Sequence, residues 1–347
     1  MNMERPLVIS GKAFIGDELT LMPVDIVIEQ GIITAIEEND KSSDVWICPA
    51  LFDAHTHLGD TIAMDCAHSG NLVELVTPPS GLKHRLLSAA SYHGLVHAMR
   101  SSIGGMIRRG TAGCADFREG GPEGVKALRE AFTGQNFRCM IFGRDGGEYI
   151  SDGLGISSAR DVQGIEQLVA KARKENKKIA FHAGEKDSGD VEAALSFNPD
   201  LIIHGTHATR QQLRECAERR IPIAICPRSN WTLGVTISPN LPPVSLMLEL
   251  GCQVFLGTDN VMFTEPDMLT EMAFVRTIYR IEPAEVMRMA VAGSSLCGDP
   301  FFIRVGARAN LFSLDPRYSN LRFSKNPIES IVKRAESCNI GTNVFNS

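Results

Sequence analysis

Apolar residues in the first 47 positions fall in short β-rich runs rather than at helical spacing. Leu7-Val8-Ile9, Asp25-Ile26-Val27-Ile28 and Ile32-Ile33-Thr34-Ala35-Ile36 read as strands, and Gly31 after Glu29-Gln30 marks a tight turn. The tail from about Phe301 reads the same way, through residues 309–314, then Ile328, Ile331 and Val332, then 339–345. The two β-rich ends are expected to pair into one small sheet unit, because domain termini often lie close together.

Between about 48 and 300 the pattern changes. Short apolar runs at 45–57, 110–117, 137–144, 153–158 (the weakest), 178–182, 201–204, 221–226 and 254–259 alternate with helix-compatible stretches. Those stretches lie at 85–109, 123–132, 162–176, 190–194, 210–219 and 244–250. Fully apolar strands followed by helices imply parallel pairing with both sheet faces covered. Eight such units over about 250 residues match a (β/α)8 barrel. An open doubly wound sheet would want a glycine-rich phosphate loop in its first βα unit. None is present there, and Gly104-Gly105 sits within or near a helix. The long link from His57 to Gly110, with its Thr77-Pro78-Pro79-Ser80-Gly81 turn cluster, is expected over the barrel mouth.

Composition narrows the class. The 347 residues suit two domains or one large barrel with an appendage. With 44% hydrophobic and 22% charged residues, disordered and fibrous classes are excluded. A net charge of −6 argues against nucleic acid as the main partner. No apolar run approaches the ~20 residues of a membrane span. Glu4, Arg5 and Pro6 precede any apolar stretch, so neither a membrane association nor a secretory leader is expected. The nine cysteines are odd in number, scattered and without a CxxC pair. They read as core thiols in a reducing, cytoplasmic compartment.

The chemistry starts at Asp53-Ala54-His55-Thr56-His57. Residues two apart on a strand share a face, so His55 and His57 present two imidazoles together, which suits Zn2+ or Fe2+. An isolated HxH pair is as compatible with ordinary core or surface histidines. Here, however, His182 ends the run Lys178-Ile179-Ala180-Phe181, His204 ends Leu201-Ile202-Ile203, and Asp259 follows Val254-Phe255-Leu256-Gly257-Thr258. A barrel carries its reacting groups at such strand ends. Three histidines and one carboxylate make a mononuclear set that leaves room for a water, whose pKa such a metal lowers toward ~7. Asp259, as ligand or close neighbour, can accept the water's proton, and His204 can orient it. Glu185, three residues after His182, can act as a general acid toward a ring nitrogen. His207 competes with His204 but belongs to the following turn. His93 and His97, four apart, read as part of an ordinary amphipathic helix, and His68 and His84 have no comparable setting.

These residues carry a family likeness. The run 48–57 (Cys-Pro-Ala-Leu-Phe-Asp-Ala-His-Thr-His), His182-Ala183-Gly184-Glu185, His204-Gly205-Thr206-His207, Cys226-Pro227-Arg228-Ser229-Asn230 and Gly257-Thr258-Asp259 resemble the amidohydrolase superfamily. The nearest branch is that of the cytosine, guanine, S-adenosylhomocysteine and triazine deaminases and chlorohydrolases, and His-Ala-Gly-Glu is also similar to adenosine deaminase. The runs 29–36 and 306–311 resemble the flanking strands of the family's small β-sandwich. The resemblance implies a distorted (β/α)8 TIM barrel over 49–300 with a composite β-sandwich from 1–48 and 301–347. It also implies one divalent metal, Zn2+ first and Fe2+ second, on His55, His57, His182 and Asp259. The positions of Glu185 and His204 match the proton shuttle and the water-orienting base. Residues 137–144 and 153–158 contain no lysine, which favours the mononuclear type over binuclear relatives. Ala50 departs from the glycine usual before the first barrel strand.

The expected function is therefore a metal-dependent aminohydrolase. It replaces an exocyclic amino group of a purine, pyrimidine or related N-heterocycle with oxygen and releases ammonia. Hydrolysis of a cyclic amide or imidazolone, dechlorination on the same site, and a noncatalytic metal-binding relative are the alternatives. Arg118, Arg144 and Arg228 follow predicted strands, and Lys83 lies in the loop over the mouth, so each is a candidate for an anionic substrate group. Asn230 is a candidate for a polar substrate edge, while Trp231 and Phe263 read as stacking or packing rings. The partner expected is a small heterocyclic substrate. The resemblance, whose members are commonly dimers or larger assemblies, is compatible with a homo-oligomer, but the sequence shows no self-association surface and leaves the oligomeric state open.

Overall fold

A computed structural model of the chain describes residues 5–66, 72–76 and 80–345. His68 and the 77–79 part of the proline cluster lie outside the described residues.

The N-terminal runs form β1 (Leu7–Ile15), β2 (Thr20–Glu29) and β3 (Ile32–Glu38), an antiparallel meander. In β2, Val24, Ile26 and Ile28 are buried while their neighbours are more exposed, the period of a strand with one covered face. The β2–β3 hairpin turns on Gln30 and Gly31, both at positive φ (50° and 77°), as the tight two-residue turn requires.

One predicted strand, 45–57, is two. β4 (Trp46–Pro49) joins the meander, and β5 (Leu51–His57) belongs to the barrel. At the fully buried Ala50 the backbone changes partners: its N–H donates to Asn310 O at 2.9 Å, and that of Leu51 donates to Gly110 O at 2.9 Å. No side-chain pattern announces this, because both halves are buried and read as one apolar run.

Seven strands follow in the barrel direction: β6 (Thr111–Arg118), β7 (Arg138–Gly143), β8 (Gly153–Ile156), β9 (Lys178–Ala183), β10 (Leu201–His204), β11 (Ile223–Ile225) and β12 (Val254–Leu256). The two-residue strand β13 (Asp259–Asn260) ends the run. The sheet order is β12-β11-β10-β9-β8-β7-β6-β5-β13, parallel throughout. Only Gly257 and Thr258 separate β12 from β13, so one segment pairs with β11 on one side and β5 on the other, closing the ring. Gly257 makes the closure fit: a Cβ there would stand 2.7–2.8 Å from the backbone and Cβ of His55.

The last strands are β14 (Leu311–Leu314) and β15 (Ile340–Val344). They complete a six-stranded sheet of order β15-β14-β4-β1-β2-β3, built from both ends of the chain. Its own core gathers Val24, Ile26, Ile33, Ile47, Ile303 and Leu311. The intervening run with Ile328, Ile331 and Val332 is not β: it is the helix Pro327–Arg334. Their i, i+3, i+4 spacing is helical, Asn326 caps the start by accepting from Glu329 N, and proline stands in the first turn. This helix packs on Met268–Ile278 and Pro283–Ala292 outside the barrel, with Arg276 Nε 3.0 Å from Glu329 Oε2.

The helix expected at 85–109 is also divided, into Leu82–Ala89 and Tyr92–Arg108, with Ser91 accepting from Gly94 N as the second one's cap. All nine cysteines are free thiols. Among the described residues no helix is long and apolar enough to cross a membrane.

Candidate active site

The C-terminal ends of the barrel strands converge. His55 and His57 leave the end of β5 on one face, with ring centroids 4.9 Å apart. The ring of His182 from β9 lies 4.8 Å from that of His55, and His204 at the tip of β10 lies 5.5 Å from His182. Asp259 completes the cluster: its Oδ1 is 3.2 Å from His55 Nε2 and 3.5 Å from His57 Nε2. Two overlapping groups, His55/His57/His182 and His55/His204/Asp259, hold their ligand-type atoms within 4.8 Å of one another. His204 and Asp259 both adopt left-handed backbone, φ 73° and 61°. Such conformations cost about 1–3 kcal/mol at a residue with a side chain and concentrate at functional sites.

A supporting layer fixes these groups. Ser229 donates its hydroxyl to Asp259 Oδ2 at 2.6 Å. Asp53, buried under the cluster, accepts from the backbone N–H of Thr258 and His55, stitching β5 to the closing segment. Burial pushes its carboxyl up to about 7, against the opposing hydrogen bonds from Thr258. His182 Nδ1 is 3.2 Å from the carbonyl of Ile156, which only accepts, so the proton sits on Nδ1 and the Nε2 lone pair is free. His57 Nδ1 is 2.9 Å from Glu119 Oε1, which leaves its Nε2 toward Asp259.

The electrostatics suit a cation. Burial keeps the imidazoles neutral, lowering His55, placing His182 well below the ordinary value, and bringing His57 down to about 3 with help from Lys83. Burial opposes the charge on Asp259, yet its hydrogen bond with His55 helps hold it well below the usual carboxylate range. Neutral imidazoles and an ionised carboxylate are the forms that ligate zinc. The buried Nδ1 atoms of His55, His57 and His204 have no aligned hydrogen-bond partner among the described residues, and His57 Nδ1 meets Glu119 Oε1 at ion-pair distance. The donor set therefore fits a divalent metal.

Glu185, in the turn after β9, has its Oε1 3.9 Å from His204 Nε2, and burial raises its pKa. Both line a cavity of about 550 Å³ with His57, His182, Asp259 and Asn260 at its floor. Val76, Leu154, Ile156, Val162, Leu168 and Leu233 give it apolar walls, and Lys83, Arg144, Asp145, Glu148, Asp161, Lys186 and Asp190 supply charge.

The five positions expected to touch substrate divide. Lys83 and Arg144 are on the cavity wall, although both are already ion-paired to Glu119, at 2.9 and 2.6 Å. Arg118, Arg228 and Asn230 are not. The Arg118 guanidinium is buried against Asp116 (3.3 Å) and Glu119 (2.6 Å), in the space that a Cβ on Gly59 would take. Asn230, fully buried, donates to Thr206 Oγ1 at 2.9 Å and so ties two strand-end turns together. Arg228 pairs with buried Glu271 at 2.5 Å, and Trp231 donates to Tyr279 OH at 3.3 Å and packs on Phe274. His207 sits in the turn past β10, and His93 and His97 are exposed on the helix Tyr92–Arg108. The residue that sequence reasoning missed is Glu119, just past β6. Its only signal was the Arg118-Glu119 doublet at a strand end, which reads as ordinary surface charge.

The chain is similar to proteins of known family and fold. The model of the family described as adenosine deaminase matches residues 151–299, and that of the amidohydrolase family matches 46–145. A protein of Methanothermobacter thermautotrophicus named "Putative aminohydrolase" is 34% identical over 97% of both chains. A 5-methylthioadenosine/S-adenosylhomocysteine deaminase of Halobacterium salinarum is 26% identical over 90% of this chain and 85% of its own. Among solved structures, a zinc-bound adenosine deaminase from Xanthomonas campestris superposes with a TM-score of 0.79 at 15% identity, covering 95% of this chain and 90% of that one.

Proposed function

This chain belongs to the deaminase branch of the amidohydrolase family, a hydrolase acting on C–N bonds, and from that premise we propose the reaction and the part each residue plays in it. The substrate is a purine, pyrimidine or related N-heterocycle with an exocyclic amino group. Water forms the new C–O bond, the C–N bond breaks, and ammonia leaves. The adenine-derived substrates named for the relatives are the first to try.

His55, His57, His182 and Asp259 would hold one divalent metal, zinc in this reading. When bound, that metal supplies Lewis acidity and brings the pKa of a water toward ~7. Asp259 accepts the proton that the water gives up. His204 fixes the direction of attack through a hydrogen bond. Glu185, whose pKa burial raises, delivers a proton to the ring nitrogen beside the reacting carbon. The apolar walls at Leu154, Ile156 and Leu233 take the flat faces of the heterocycle and exclude bulk water.

One observation carries this reading: Glu185 and His204 share one cavity floor with the His/Asp cluster. A half-buried carboxyl whose pKa is raised beside the cluster is suited to ring protonation. The nine free thiols suit the cytoplasm, where we place the protein. The test is a panel of aminated purines, pyrimidines and nucleosides offered to zinc-loaded protein, read by ammonia release. Ammonia from at least one of them is the expected result. Turnover of a cyclic amide or a chlorinated heterocycle, with no ammonia from any aminated ring, would replace this reading.

A further inference from the structure

Glu119 is 5% exposed and stands where β6 ends, under the cavity floor. Its Oε1 meets three groups from three separate segments: His57 Nδ1 at 2.9 Å, Lys83 Nζ at 2.9 Å and Arg144 at 2.6 Å. Its Oε2 meets Arg118 at 2.6 Å. A carboxylate this deep costs several kcal/mol unless paired. Three cations hold it ionised and in place, with Asp60 (2.9 Å from Lys83) and Asp116 (3.3 Å from Arg118) balancing the remaining charge. The fixed carboxylate thereby places a permanent negative charge 2.9 Å from Nδ1 of the His57 ring.

We infer that Glu119 is a positioning residue of the metal centre: it keeps the proton of His57 on Nδ1 and aims the Nε2 lone pair at the cation. This rests on the metal-dependent reading above. Among the histidines of the proposed set, His57 is singled out by its dependence on a side chain. His182 takes its orientation from the carbonyl of Ile156, which substitution of that residue leaves in place. Carboxylate partners of ligating histidines set tautomer and ring orientation and raise ligand basicity, and their loss typically costs about 10–100-fold in metal affinity.

The experiment measures zinc affinity by competition with a chelator, and the visible absorption of the cobalt(II)-loaded protein, for wild type, Glu119→Gln, Glu119→Asp and Lys83→Met. Glu119→Gln is expected to bind zinc about 10–100-fold more weakly and to change the cobalt spectrum. Glu119→Asp keeps the charge that the three cations need but withdraws it from His57, so it is expected to weaken zinc as well. It decides the matter if the glutamine variant does not fold. Lys83→Met removes one partner of Glu119 and a nearby charge but leaves the Glu119–His57 contact in place, and its zinc affinity is expected not to fall by more than about twofold, since two arginines still hold the carboxylate. Unchanged affinity and spectrum in the folded Glu119 variants, or an equal loss in Lys83→Met, would overturn the inference and leave the metal reading standing. Wild-type protein that takes up no zinc would overturn both.

Discussion

His55 and Asp259 are 204 residues apart in the chain, and His55 Nε2 lies 3.2 Å from Asp259 Oδ1. The contact exists because β13 lays Asp259 beside Thr56 in register, with Gly257 leaving room for the approach. An imidazole and a carboxylate, both buried and side by side, form a strong cation site once the ring is neutral. On the proposed mechanism Asp259→Ala removes both a ligand and the acceptor of the water's proton, so it is expected to lose stoichiometric zinc and to reduce ammonia release by about 10²–10⁴-fold. Metal analysis and the steady-state rate on the same preparation check it.

Glu185→Gln separates binding from chemistry. The amide keeps the shape of the side chain but has no acidic proton to deliver, so kcat is expected to fall by about 10²–10⁴-fold with zinc content unchanged. A zinc-loaded variant with full activity would remove Glu185 from the mechanism.

The pH profile follows from the same carboxyl. Burial favours its neutral form and raises its pKa, so the working, protonated fraction persists to higher pH than an exposed glutamate would allow. As pH rises through that raised value the proton is lost, and kcat/KM is expected to decline. The decline should be missing from whatever residual rate Glu185→Gln retains, which pH–rate profiles of the two proteins will show.

Metal removal should cost stability as well as activity. Zinc held by the folded cluster would have no equivalent site in the unfolded chain, so its removal is expected to lower Tm, with a stability loss of about 2.7 kcal/mol when free zinc was 100 times Kd. Calorimetry of chelator-treated protein, before and after zinc is restored, measures it. Recovery of both Tm and ammonia release is the expected outcome.

Gly257→Ala tests the closure of the barrel. The new Cβ would meet the His55 backbone N and O at 2.7 and 2.8 Å, and backbone cannot swing aside as a flexible side chain does. A destabilisation of about 1–3 kcal/mol is expected from overpacking, together with weaker zinc binding as β5 and β13 are forced apart. Urea unfolding and chelator competition read the two effects.

Much of the site is legible because strand ends are local features. The short apolar runs before His182, His204 and Asp259, and the alternation that pairs His55 with His57, mark these side chains without knowledge of any contact. The substrate-facing cations are a harder case. Lys83, Arg144 and Arg118 look alike in the chain, yet the first two reach the cavity wall while Arg118 is sealed between Asp116 and Glu119. Ile328, Ile331 and Val332 carried helical spacing inside a β-rich tail, and the spacing was the better guide.

By itself, the order of residues determined the alternation of strands and helices, the eight-unit count and the chemistry available at the strand ends, since each depends on periods of two or 3.6 residues and on residue type. Tertiary structure alone decided where the run through Ala50 changes sheets, which cations face the cavity, and that Glu119 supports His57. Those outcomes depend on which distant segments arrive at one point, and a buried charge takes its role from the partners that compensate it there.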